Sequence, residues 1–304
     1  MSDNSKNAAD SAVKLGLICG VLAYSLWGLL PIYLKQLTIV DPLEIVGQRI
    51  LWSVPFGALI LTFRKQWGET LKAFRSPRML ALLGFSATVI ALNWLTYVWA
   101  VANDRVLQAS LGYYINPLMF VAAGVFVLKE KLGRLQMAAV ALAAIGVSVL
   151  AIGAGVVPWV SIILATSFTA YGYARKTLNI GAMPGLFIET VLLAPFAFSF
   201  LLWFSGTHGL AFGNEGLRID LLLIAAGPVT VLPLMLFALA ARRLTFTTLG
   251  FLQYIGPTGQ LLLGLYYGEP FTLYHGICFG LIWTALTILS IDALRKNHKP
   301  RPIV

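Results

Sequence analysis

Apolar runs of about 17–25 residues recur along almost the whole chain, separated by short polar or turn-forming stretches. At 1.5 Å per residue, each can cross a hydrocarbon core ~30 Å thick. Ten such spans are predicted, at 15–33, 45–63, 79–101, 106–128, 135–152, 159–174, 186–204, 221–241, 248–267 and 271–291. The sixth is the most dilute: Ser161, Thr166, Ser167 and Thr169 interrupt it, and Arg175 and Lys176 close it early. Residues 1–13 and 294–304 are polar tails, and no cleavage site follows the first run as it would in a signal peptide.

Composition agrees with this pattern. Of 304 residues, 59% are hydrophobic and only 11% charged, against roughly a quarter charged in soluble domains. A net charge of +10 would fit a nucleic-acid binder if the basic residues were clustered on one surface. Instead, with the amino terminus inside, 18 of the 22 Lys and Arg residues fall in alternate connections or the tails, among them 64–78, 129–134, Arg175, Lys176, Arg242 and Arg243. Only Lys35, Arg105 and Arg218 fall on the opposite side, and Arg49 lies within a span. That alternation follows the positive-inside rule, places both termini in the cytoplasm and argues against nucleic acid as a partner. The partners expected are the lipid bilayer and a small-molecule substrate.

The chain also repeats itself. Sliding it by about 140 residues sets Pro55-Phe56 on Pro195-Phe196, Leu111–Pro117 on Leu249–Pro257 with a small gap, and Glu130 near Glu269. The halves are 14–153 and 154–293. Each holds an odd number of spans, so the second enters the membrane inverted. The expected fold is an all-α membrane protein of ten helices in two inverted five-helix repeats, a construction used by secondary transporters.

Four stretches resemble a known family: Ala23–Tyr33 (AYSLWGLLPIY), Asn93-Trp94, Ala109–Pro117 (ASLGYYINP) and Leu249–Pro257 (LGFLQYIGP). They are similar to RarD-type proteins of the EamA group in the drug/metabolite transporter superfamily, over residues 15–292. The resemblance implies a bacterial inner-membrane location and efflux of small solutes such as amino acids, metabolites or chloramphenicol. It also implies a cavity walled mainly by spans one, three, four, six, eight and nine, with spans five and ten to one side. Gln48 and Lys129 depart from the family's usual His and Gly.

Candidate site residues follow from polarity at depth. Pro117 and Pro257 are expected to break spans four and nine at mid-membrane, freeing backbone carbonyls that lipid does not tolerate. Around them stand Tyr113, Tyr114 and Asn116 on one side and Gln253, Tyr254 and Gln260 on the other. Span three contributes Asn93, Tyr97, Ala100 and Asp104 at helical spacing, although a membrane Asn often only ties two helices together. Trp27 and Trp94 lie deeper than an interfacial belt. Asn116 and Gln253, as amides, would favour a neutral or zwitterionic solute.

Charges inside spans are functional candidates by default. Arg49 is expected near the outer end of span two and Glu189 near the inner end of span seven. Each would act as a gate or snorkel to its own interface, roughly 20 Å from the other. Small-residue pairs at Ala139/Ala143 and Gly276/Gly280 let spans five and ten pack within one chain or form a homodimer. No cofactor or metal site is expected: Cys19 and Cys278 lie inside spans. The lack of GxxxxGK[ST], HExxH and GxSxG motifs argues against ATP hydrolysis and against a membrane-embedded lipid-modifying enzyme. A non-transporting scaffold is the remaining alternative. The topology has a direct test: a thiol introduced at Glu215 should react with an impermeant reagent from outside intact cells, and labelling only from the cytoplasm would overturn it.

Overall fold

The computed structural model describes residues 2–298 except Asp104, Ala154, 156–158, Glu269 and Pro270, so the repeat match at Glu269 and the end of the span-three stripe at Asp104 lie outside the described residues. The described chain is helical throughout. Its helices are α1 (Ser2–Leu34), α2 (Pro42–Phe63), α3 (Trp67–Phe74), α4 (Pro77–Ala102), α5 (Val106–Phe126) and α6 (Arg134–Gly153), then α7 (Trp159–Thr177), α8 (Ala182–Thr207), α9 (Leu217–Ala241), α10 (Phe246–Gln253), α11 (Ile255–Tyr266) and α12 (Leu273–His298). A 3-10 turn at Lys35–Leu37 follows α1, and the Asp41 carboxylate accepts from the Leu43 amide to start α2.

Eight of these helices are long and apolar enough to cross a membrane: α1, α2, α4, α5, α6, α8, α9 and α12. They leave large apolar side chains on their outer faces, including Leu22, Phe85, Phe126, Phe196 and Leu202. For water-facing helices such surface would be a liability, whereas against acyl chains it is neutral.

The two predicted spans missing from those eight have physical reasons to differ. The dilute sixth span is α7, whose hydroxyl-bearing residues turn inward: Ser161, Ser167 and Thr169 are buried. The ninth is split, because Pro257 has no N–H to give and its ring opposes the carbonyl four residues back, which belongs to Gln253. Accordingly α10 stops at Gln253 and α11 starts at Ile255. Pro117 has no such effect. It lies inside an unbroken α5, so the expected pair of breaks is a single break at the α10–α11 junction.

The most extensive contacts are between α6 and α12, where Ala139, Ala143 and Val147 pack against Cys278, Phe279 and Ile282. A Cβ on Gly146 would lie 3.0 Å from the Cys278 carbonyl, a tighter contact than most side chains make, and glycine avoids it. The other large contacts join α5 to α7 and α10, α2 to α8 and α9, α1 to α9 and α11, and α4 to α7. Two further glycines make close backbone crossings: a Cβ on Gly250 would sit 2.6 Å from the Pro117 carbonyl oxygen, and one on Gly227 would collide with that of Trp52. Gly227→Val should therefore destabilise by ~1–3 kcal/mol, as overpacking does, seen as a lower unfolding midpoint in detergent. Gly280→Val, where a new Cβ meets nothing within 4 Å, should leave that midpoint unchanged.

Candidate functional site

A cavity of about 460 Å³ lies between α1, α2, α4, α5, α7, α9 and the α10–α11 junction, a volume typical of small-ligand sites. Its rim includes the exposed Thr38 and Pro42, so it opens at the end of the bundle that carries the α1–α2 connection. Each wall is one face of a helix, with residues three and four apart. Trp27, Leu30, Pro31 and Leu34 come from α1; Asn93, Trp94, Tyr97 and Val98 from α4. Ala109, Gly112, Tyr113 and Asn116 come from α5, while Gln253, Gly256, Pro257 and Gln260 span the junction.

Trp27, Arg49, Asn93, Trp94, Tyr97, Tyr113, Asn116, Gln253, Pro257 and Gln260 thus meet at one cavity. Tyr114 and Tyr254 do not. One residue further round each helix turns a side chain by about 100°, and both tyrosines pack away from the cavity, with Tyr114 edge-on to Phe279 of α12 at 5.4 Å. Pro117 is also off the wall, its carbonyl facing Gly250. Tyr24, Leu164 and Phe168 line the cavity without having been singled out from the sequence. Tyr24 lies one turn before Trp27, so helical spacing was the signal for it.

The amides differ in what they have left to offer. Asn93 donates to the Leu164 carbonyl and to Ser167 Oγ, both at 2.8 Å, tying α4 to α7. Gln260 donates to the Trp27 carbonyl at 3.3 Å, and Asn116 Oδ1 accepts from Thr169 at 3.3 Å. Gln253 is only 4% exposed, and its amide faces the buried Tyr24 hydroxyl without a hydrogen bond of good geometry to it or to any other group. Buried polar groups are rarely left this way. Both residues line the cavity, but their polar atoms are covered by neighbouring groups.

Arg49 belongs to the wall as much as to the mouth. Its Nε donates to Thr230 Oγ1 at 2.9 Å, and its guanidinium lies 5.0 Å from the centre of the Trp94 ring. The hydroxyl-bearing rings of Tyr33, Tyr97 and Tyr113 are its electrostatic neighbours.

Glu189 contrasts with the snorkelling expected of it. It is 2% exposed and pairs with Arg175 at 3.3 Å, while the Tyr171 hydroxyl donates to its other oxygen at 3.4 Å. Arg175, expected in a basic loop, is itself 1% exposed and also donates to the Ala182 carbonyl at 2.7 Å. A space of about 20 Å³, room for one water, is bordered by Glu189 and by Thr230, the hydrogen-bond partner of Arg49.

Below the cavity, Phe120 stacks on Phe246 at 4.6 Å and Tyr171 on Phe237 at 6.1 Å, with Phe168 against both Phe237 and Tyr171. Beyond these rings, charged side chains hold loop backbone. Glu130 accepts from the Phe246 and Thr247 amides at 2.6 and 2.9 Å, and Glu69 from the Gly181 amide at 2.6 Å. Lys176 donates to the Ala241 and Leu244 carbonyls, and Arg242 to that of Ile180. The cavity is therefore closed at the end opposite its rim. Breaking a buried ion pair by removing one partner costs about 3–5 kcal/mol, more than replacing both with apolar groups. Glu189→Ala should lower the unfolding midpoint strongly and Arg175→Met with Glu189→Met should lower it less; no effect of Glu189→Ala would show a solvated carboxylate.

Comparison with known proteins gives a consistent result. Residues 14–152 match the model of the EamA-like transporter family. The chain is 43% identical to a Vibrio cholerae serotype O1 protein called an uncharacterized transporter, covering 95% of this chain and 96% of that one. It is 42% identical to the protein RarD of Streptomyces exfoliatus, covering 96% and 93%. A solved crystal structure, 18% identical, superposes with a TM-score of 0.71 over 91% of this chain and 98% of the other, and so shares the fold. With relatives this similar over nearly its whole length, this multi-pass membrane protein is no enzyme: it belongs to the RarD-type members of the EamA-like transporter family.

Proposed function

We propose that the protein is a secondary transporter that moves small organic solutes across the bacterial inner membrane by alternating access, here in an outward-open conformation. The observation that carries this is a cavity open at one end, sealed at the other, and lined by polar side chains drawn from both halves of the chain, among them Arg49, Asn116 and Gln260. The helix contacts support ten spans in two related halves. Exchanging α1, α2, α4, α5 and α6 with α7, α8, α9, the α10–α11 segment and α12 turns each principal contact into another one. Thus α1 with α9 becomes α7 with α4, α1 with α11 becomes α7 with α5, and α2 with α9 becomes α8 with α4. The contacts α2 with α8, α5 with α10 and α6 with α12 map onto themselves. A bundle with that exchange symmetry and a site between its halves is suited to rocking about the site.

Orientation rests on charge. The sealed end carries Glu130, Lys176 and Arg242, beside the basic connections expected in the cytoplasm, and the rim carries the connection 35–41 on the other side. Both termini are then cytoplasmic. Any driving force comes from solute gradients or exchange, because no nucleotide-binding loop is present in the sequence.

Reconstituted protein should show saturable uptake and counterflow of a labelled solute, a behaviour that neither a channel nor a scaffold produces. Asn116→Leu with Gln253→Leu should weaken solute binding by ~1–3 kcal/mol, the cost of leaving polar partners unmade, with little change in expression. Full counterflow in that double variant would move the site elsewhere.

A further inference from the structure

We infer that the cavity selects solutes bearing a carboxylate, with Arg49 as the group that receives it; this rests on the transporter reading and names the substrate class of the same site. The amides taken alone point to a neutral or zwitterionic solute. Arg49 changes that balance, because it stands on the cavity wall and no Asp or Glu lines the cavity among the described residues. The ion pair formed among them, Arg175 with Glu189, lies outside the cavity. Arg49 is held by one hydrogen bond through Nε to Thr230 and by the face of Trp94. These contacts orient the guanidinium without neutralising it.

A cation withdrawn from water and left without a counter-charge is costly. A guanidinium presents a planar fork that a carboxylate matches with two parallel hydrogen bonds. Tyr97 and Tyr113 line the same cavity, with their rings 6.1 Å apart, and put hydroxyl donors on the Arg49 side of the wall. The rest of the wall says what the carboxylate is attached to. Trp27, Leu30, Phe168 and Leu234 provide an apolar surface, and the amides of Asn116 and Gln260 place polar groups on the same wall. That describes an organic monocarboxylate with an apolar body and a hydrogen-bonding group away from the acid. An α-amino acid fits less well, since its ammonium finds only amide oxygen and the Trp27 ring. An organic cation fits worst, meeting Arg49 with nothing to offset it.

The test uses purified full-length protein and matched compounds sharing one skeleton: 3-phenylpropionate, 3-phenylpropanamide, 3-phenylpropylamine and phenylalanine, with the corresponding 4-hydroxyphenyl series. Binding is read by thermal stabilisation and by tryptophan fluorescence, since Trp94 touches Arg49. The carboxylates should bind at least about tenfold more tightly than their amides, as expected for a charge-assisted fork over a neutral contact. Arg49→Gln should abolish that preference, and Arg49→Lys should keep it at roughly tenfold lower affinity, having charge but no fork. Should Arg49→Gln fail to fold, the wild-type series and Arg49→Lys decide. The inference is overturned if amides or amines bind as well as carboxylates, if no carboxylate stabilises the wild type, or if Arg49→Gln retains the preference. Counterflow in proteoliposomes separates the two levels. Saturable flux of an amide, indifferent to Arg49, would leave the transporter reading standing without this one. Arg49-dependent carboxylate binding without flux would do the reverse.

Discussion

Lipid offers no hydrogen bonds, so every polar group within the bundle must find its partner in the protein or in a water-filled space. That single constraint sorts the parts of this molecule. Backbone groups are satisfied by forming helices, and where a helix must end inside the sealed half, a charged side chain from another segment takes over. Glu130 holds the start of α10, Glu69 the start of α8, and Lys176 the end of α9. The charges at the sealed end are therefore more than topological markers, since they bind the loops to one another. Arg175 and Glu189 do the same from a fully buried position.

The same constraint distinguishes among the polar side chains at the cavity. Asn93 and Gln260 have used their donors on neighbouring helices, as membrane amides that fix helix packing do. Gln253 and Tyr24 instead face each other, and both line the cavity. Location alone would have grouped all four together. Their hydrogen-bond partners divide them into residues that tie helices together and residues that do not.

Much of this was legible in the sequence because hydropathy and charge alternation are strong signals over a 304-residue chain. The helices came through, and so did most of the residues that meet at the cavity, since polar side chains deep in apolar runs are few. What failed did so for specific reasons. Arg175 looked like a loop residue because it sits beside Lys176 at the end of a dilute run, and nothing local shows that Glu189, fourteen positions on, folds back to meet it. Tyr114 and Tyr254 were grouped with their neighbours by proximity in sequence, although the spacing 109, 112, 113, 116 on α5 and 253, 256, 257, 260 at the junction leaves both off the face. Pro117 and Pro257 looked equivalent by alignment. Their different effects depend on what flanks them: Pro257 follows Gly256, a weak helix former, in a segment held from two sides.

Those two sides are α5 and α1. α10 packs on α5, with Gly250 against the Pro117 carbonyl, whereas α11 packs on α1, where Gly28 lies close to Gly259 and to the Gly256 carbonyl. Between them Tyr254 ends α10 and begins α11, with no side-chain hydrogen bond capping α11. α1 and α5 are on different sides of the cavity. Gln253 is the last residue of α10, and it lines the cavity. The chain thus passes from its contact with α5 to its contact with α1 at a residue that lines the cavity.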